Sequence, residues 1–309
     1  MKTFATATLL ATSLAFPAAA AIDGPLIDPA GLSAALETGS VQVIDIRAPE
    51  GDGSFAAGHV AGAVNAPYGL FRGPSDNPGQ VPEVAALEQT VQQLGLDPAQ
   101  SLVVTYAGAS ISDFGAAARV YWTLKSLGFE DMAILNGGLA AWTEAGLALS
   151  TDAVAPTPST VTVSWDDTWT ASTADVQAIV AGDAEASLID ARPETFWNGE
   201  QAHPAAARPG TLPQSDYFVH SSWFGDGPAI VDAAAAVDVA AEAGLQGPLV
   251  SFCNTGHWAA TNWFAMSELA GLDAKLYPES MVAWSNAGYE MANVPGPLRT
   301  LWLQIKGVF

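Results

Sequence analysis

The segment SFCNTGHWAATNWF, residues 251–264, contains the only cysteine of the 309-residue chain. Cys253 follows the apolar run Leu249–Phe252 and precedes a helix-like stretch over Ala259–Leu269, which leaves Asn254, Thr255, Gly256, His257 and Trp258 to form a short loop. Backbone N–H groups of a strand-to-helix loop converge, and the start of a helix adds partial positive charge, so the segment reads as a cradle for an anion. The same groups stabilise a thiolate, the nucleophilic form of cysteine. Gly256 lets the loop turn tightly without a Cβ. Composition alone leaves two roles open for the thiol, an inert buried hydrophobe or a reactive group, because no second cysteine is present to pair with it.

The elements that position this loop occur twice. VIDIRAPE at residues 43–50 is echoed by LIDARPE at 188–194, which sets Asp45 and Arg47 opposite Asp190 and Arg192. LVVTYAG from Leu102 parallels LVSFCNTG from Leu249, with Tyr106 opposite Cys253, and ILNGGLAAWTEAG from Ile134 parallels LYPESMVAWSNAG from Leu276. The period is that of a duplicated domain, far longer than a solenoid repeat. Within each copy, continuous apolar runs alternate with amphipathic stretches, 116–127 in the first and 259–269 in the second. That is the βαβ pattern of an open, mostly parallel sheet flanked by helices, with its site at the carboxyl ends of the strands. The expected organisation is a first domain at 24–150, a linker at 151–169, a second domain at 170–295 and a tail at 296–309. Within the linker, TVTVSW (160–165) alternates like a strand.

Taken together, the duplicated α/β pattern, the Asp-x-Arg pairs, AGHVAGAVNAP at 57–67, LNGGLAAW at 135–142 and the single loop cysteine of the second half resemble the tandem-domain rhodanese sulfurtransferases. The resemblance implies two rhodanese-like domains, the first inactive, with Tyr106 where the nucleophile would stand. It further implies that Cys253 takes sulfane sulfur from a small anionic donor, thiosulfate or 3-mercaptopyruvate, becomes a persulfide, and passes the sulfur to cyanide, a thiol or a protein acceptor. No metal or organic cofactor is required. Residues 254–258 would line the donor site. Asn254 and Thr255 are neutral where thiosulfate-using members often carry basic residues. Arg192 is placed by the family pattern near the rim, to bind the donor's anionic group, or else in a salt bridge with Asp190. Arg208 is a second cation of unknown direction. His257 is a candidate proton donor or anion contact, or a histidine hydrogen-bonded to solvent, and Trp258 either walls the pocket or packs at the helix start. Glu279 stands opposite Gly137, where an inward carboxylate would oppose an anion.

Ten Lys and Arg against 32 Asp and Glu give a formal charge of −22, which excludes the clustered basic surface that nucleic-acid binding needs. An anionic substrate must therefore be held by local donors against the overall field. Residues 1–21 read as a signal peptide: Lys2, an apolar run from Phe4 to Phe16 too short for a spanning helix, then Ala18–Ala20 as a cleavage site. The expectation is an exported, periplasmic protein without stable membrane insertion. A cysteine-dependent phosphatase would need an arginine at position 259, which is alanine. A sulfur carrier without efficient turnover and a thiol redox sensor remain as alternatives.

Overall fold

The computed structural model describes residues 22–39, 41–152, 154–296 and 299. The leader at 1–21 and most of the tail lie outside the described residues. The first sheet comprises β1 (Leu26–Ile27), β2 (Val41–Asp45), β3 (Val64–Asn65), β4 (Ser101–Thr105) and β5 (Met132–Leu135), in the order β1-β5-β4-β2-β3. The second comprises β6 (Ser187–Asp190), β7 (Asp216–Tyr217), β8 (Leu249–Phe252) and β9 (Ala274–Leu276), in the order β7-β6-β8-β9. Every strand pair in both sheets is parallel. All residues of β4 and β8 are buried, as expected of parallel strands covered on both faces.

Helices of the first half are α1 (Pro29–Thr38), α2 (Val84–Gln93), α3 (Ile111–Ser126) and α4 (Gly138–Glu144); those of the second are α5 (Thr173–Ala181), α6 (Glu194–Trp197), α7 (Ala233–Glu242), α8 (Trp258–Trp263) and α9 (Ser280–Asn286). The duplication reaches the hydrogen-bond register. Leu139 N–H donates to the Tyr106 carbonyl and Ala140 N–H to that of Ala107, while Met281 and Val282 N–H donate in the same way to Cys253 and Asn254. The counterpart of β1 is reduced to one parallel bridge, Thr170 to Leu276.

Two expectations need correction. The stretches at 116–127 and 259–269 are not amphipathic in place: 259–266 is buried throughout, and 114–124 throughout except Ala116. The reason is that α3 and α8 pack on each other, each with its own sheet behind it, so neither has a wet face. Beyond α8 the chain continues as a π-helical turn, Phe264–Leu269, in place of a regular α-helix. TVTVSW forms no strand either. Two of its backbone groups are held by helix side chains, Val163 N–H donating to Glu88 Oε2 and the Val161 carbonyl accepting from Gln92, and Val161, Val163 and Trp165 turn into the core. Alternation here reflects packing on α2, not sheet pairing.

One continuous apolar cluster joins the halves. Phe264 lies 5.3 Å from Phe114 and 5.1 Å from Tyr121 between ring centroids, both nearly perpendicular. Edge-to-face pairs of this kind add to the burial of large rings. Phe264→Ala is expected to cost about 3–5 kcal/mol, and because its ring is shared, urea unfolding followed by fluorescence should show both halves destabilised together; loss confined to the second half would contradict a common core.

Candidate active site

Cys253 sits at the carboxyl end of β8, 1% exposed, with residues 251–256 all buried. Its N–H donates to the Ser280 hydroxyl at 3.0 Å, and that hydroxyl donates to the Tyr277 carbonyl at 2.8 Å. Ser280 holds a left-handed φ of 54°, at the position where the first half has Gly138 with φ 61°. A non-glycine residue there carries about 1–2 kcal/mol of strain. The hydroxyl that anchors the base of the cysteine loop offsets it.

The backbone N–H groups of residues 254–257 have no acceptor among the described residues. Buried donors are almost always paired, so a run of them around a thiol is a cradle open to an anion. Gly256 has φ 68°, and a Cβ there would collide with Nη1 of Arg119 and lie 2.5 Å from the Pro278 carbonyl oxygen. Any larger residue would force the loop off its wall.

Much of that wall comes from the first half. Arg119, on α3, is fully buried and donates through Nη2 to the Gly79 carbonyl at 2.8 Å. Burial, and then the charge of Arg72, pull its guanidinium down to about 9, which leaves it a cation at neutral pH; charges at Tyr68, Cys253 and Glu279 act the other way. Arg72 lies 5.1 Å over the Tyr68 ring. Burial raises the Tyr68 hydroxyl, with Arg72, Arg119 and Cys253 as the neighbouring charges. Glu279 is turned aside, accepting from Asn77 and Thr173.

The structure decides between the alternatives read from sequence. Arg192 is not a free cation at the rim: it is 2% exposed and bound through Nε and Nη2 to Asp190, through Nη2 to the Gly210 carbonyl and through Nη1 to Asn254 Oδ1 at 3.3 Å. Arg47 makes the same bonds to Asp45 and the Gly58 carbonyl, so this is a brace repeated in both halves. Asp190 also accepts from Thr211. Arg208 is exposed and donates to the Tyr289 carbonyl. His257 does not face a donor with its ring either. Nε2 lies 2.8 Å from the Ser112 carbonyl, which can only accept, so that nitrogen carries the proton and Nδ1 accepts from the Tyr68 hydroxyl at 3.1 Å. Trp258 donates to Ser112 Oγ at 2.9 Å and stacks on His220, so it packs. Of the loop side chains only Thr255 is left uncommitted, and Asn254 and Gly256 contribute backbone. Sequence reasoning missed Tyr68, Arg72, Arg119 and Ser280. Only Ser280 had a usable signal, the exchange of Gly138 for serine between the copies.

A buried, single thiol at a strand end, in a loop whose N–H groups have no acceptor among the described residues and beside the Arg119 guanidinium, is an arrangement that can hold an anion next to sulfur, as sulfur transfer requires. Residues 28–145 match the family model described as Rhodanese-like domain. The chain is 30% identical over 210 residues to a probable 3-mercaptopyruvate sulfurtransferase of Pseudomonas aeruginosa, spanning 66% of this chain and 71% of that protein. It is 29% identical over 276 residues to a putative thiosulfate sulfurtransferase, SseB, of Mycobacterium tuberculosis, spanning 84% and 94%. In fold it is similar to the crystal structure of the 3-mercaptopyruvate sulfurtransferase SseA of Escherichia coli, with TM-score 0.71 and 22% identity over 82% of this chain and 98% of that one. It is also similar in fold to an anaerobic ergothioneine biosynthesis enzyme of Chlorobium limicola, with TM-score 0.76 and 18% identity over 87% and 70%. The chain belongs to the rhodanese family, as a sulfurtransferase with two rhodanese-like domains.

Two outcomes test this geometry. Ser280→Ala keeps the strained φ and loses the hydrogen bond, so it should cost about 1–3 kcal/mol and slow Cys253 chemistry. Ser280→Gly relieves the strain and should be near neutral in urea while still slowing it; equal stability loss in both would deny the anchoring role. Burial, then the charge of Arg72, lower His257 from 6.5 to about 4. The unfolded chain therefore binds the proton first, and stability from this group is lost as pH falls from about 6.5 to about 4, by up to about 3 kcal/mol. His257→Gln should flatten that slope between urea midpoints at pH 7 and pH 4.5.

Proposed function

We propose that the protein moves sulfane sulfur from a small anionic donor, thiosulfate or 3-mercaptopyruvate, to a thiophilic acceptor such as cyanide or a thiol, through a persulfide on Cys253. The observation that carries the reading is the buried thiol inside a loop whose N–H groups lack acceptors. With thiosulfate, the Cys253 thiolate attacks the outer sulfur, the S–S bond to the sulfonate sulfur breaks, and sulfite leaves with the electron pair. The product Cys253–S–S⁻ places its charge on the terminal sulfur, where the loop N–H groups stabilise it as an oxyanion hole stabilises oxygen. Cyanide then attacks that sulfur, and thiocyanate departs as the thiolate is restored. With 3-mercaptopyruvate the C–S bond breaks instead, and the enolate that leaves takes a proton to become pyruvate.

The first domain carries no nucleophile in this reading, since Tyr106 occupies the place of Cys253. It serves as the wall of the site. The chain is exported to the periplasm through the leader at residues 1–21, and the acceptor there is a small thiol or a protein.

Exposure of the pure protein to either donor should add one sulfur atom to the intact mass, and cyanide should remove it as thiocyanate. Cys253→Ser should take up none. If the wild type loads from neither donor, the small-donor reading fails; loading only from a partner protein would favour a carrier, and a reversible sulfenic acid without sulfur transfer would favour a redox sensor.

A further inference from the structure

Three buried guanidinium nitrogens of the first half have no acceptor: Nε and Nη1 of Arg119 and Nη1 of Arg72. Neither arginine makes an ion pair among the described residues, although the chain carries 32 Asp and Glu. The nearest carboxylate whose charge acts on Arg119, Glu279, is engaged with Asn77 and Thr173. An unpaired buried cation is costly, and two whose charges repel cost more, unless a bound anion completes them. The place where they meet is the cysteine loop: Nη1 of Arg119 lies against Gly256, and a charge on Cys253 is felt by both Arg119 and Tyr68, over whose ring Arg72 lies. Guanidinium N–H groups match the oxygens of sulfonate and carboxylate better than any other side chain.

We propose that Arg72 and Arg119, supplied by the catalytically silent half, form the clamp for the anionic terminus of the substrate, opposite the N–H groups of residues 254–257. Arg192, the cation expected from the sequence, is occupied as a brace and takes no part in it. The clamp rests on the donor reading above for its substrate but not for its test. The anion is held between the halves, with its oxygens toward α3 and its reactive sulfur toward Cys253. Donor selectivity is then set by the first half.

The test compares alkylation of Cys253 by iodoacetate and by neutral iodoacetamide, followed by intact mass on the full chain. In Arg72→Gln, Arg119→Lys and Arg119→Gln the rate with iodoacetate should fall at least about tenfold, the loss expected for a charge-assisted hydrogen bond. The rate with iodoacetamide should change less than about threefold on the same scale. Arg119→Lys and Arg72→Gln keep the test open if Arg119→Gln does not fold. An unchanged ratio overturns the clamp. Equal loss of both rates also overturns it and assigns the arginines to the thiolate. A wild-type thiol that neither reagent reaches overturns it too, because the cradle then admits no anion. If the ratio shifts as expected while neither thiosulfate nor 3-mercaptopyruvate loads the wild type, the anion clamp stands and the donor reading falls.

Discussion

The packing of α3 against the cysteine loop and α8 is the contact on which the rest of the molecule depends. It is made where two glycines leave room: a Cβ on Gly115 would meet the His257 carbonyl oxygen at 2.8 Å, and one on Gly256 would strike Arg119. That close approach leaves no space between the guanidinium and the loop at Gly256. The field of Arg119 therefore acts in a low-dielectric setting, where a charge is worth far more than on the surface. The surface of this chain is strongly acidic, so a site for anions has to be screened from it. Burial between two sheets supplies the screening, and the same burial holds Cys253 away from solvent.

Duplication followed by division explains the asymmetry. Both halves keep the Asp–Arg brace, Asp45 with Arg47 and Asp190 with Arg192, because the brace ties a strand end to the next loop whatever chemistry that loop performs. The halves differ at the two positions that meet: Tyr106 and Gly138 in the first stand where the second has Cys253 and Ser280. In the first half Tyr106 is buried in the place of the thiol and packs edge-on against Phe114. That half also carries a set of polar residues, Tyr68, Arg72 and Arg119, that contact or charge the other half's loop.

The two sheets, the tandem order and the cysteine loop were legible in the sequence because they follow from apolar runs and from self-comparison. Strand β8 was read as it stands, and the helix at α3 begins a turn earlier than its apolar stretch suggested, at Ile111. Buried helices defeat an amphipathic reading, since the polar face that periodicity looks for does not exist when α3 and α8 cover each other. Of the candidate site, the cysteine loop was legible and the residues that face it were not. For Arg192 the sequence left the rim and a salt bridge with Asp190 both open, and the structure has the second, because an arginine two residues from a buried aspartate closes on it first. Arg72 and Arg119 reach Cys253's surroundings from more than a hundred residues away, and no local spacing announces a contact of that range.

Placing wall and cysteine in different halves gives the segment from Tyr68 to Gln80 two allegiances. It reaches across the domain boundary with the Tyr68 hydroxyl on His257, Asn77 on Glu279 and Gly79 against Pro278, while contributing no strand to either sheet. Phe71, fully buried, ties it to the common core, and Gly79 leaves no room for a Cβ beside the Pro278 carbonyl, so the segment is held from both sides. A substitution in this segment therefore alters the surroundings of Cys253 from the far half of the chain, so the two halves cannot vary independently of each other.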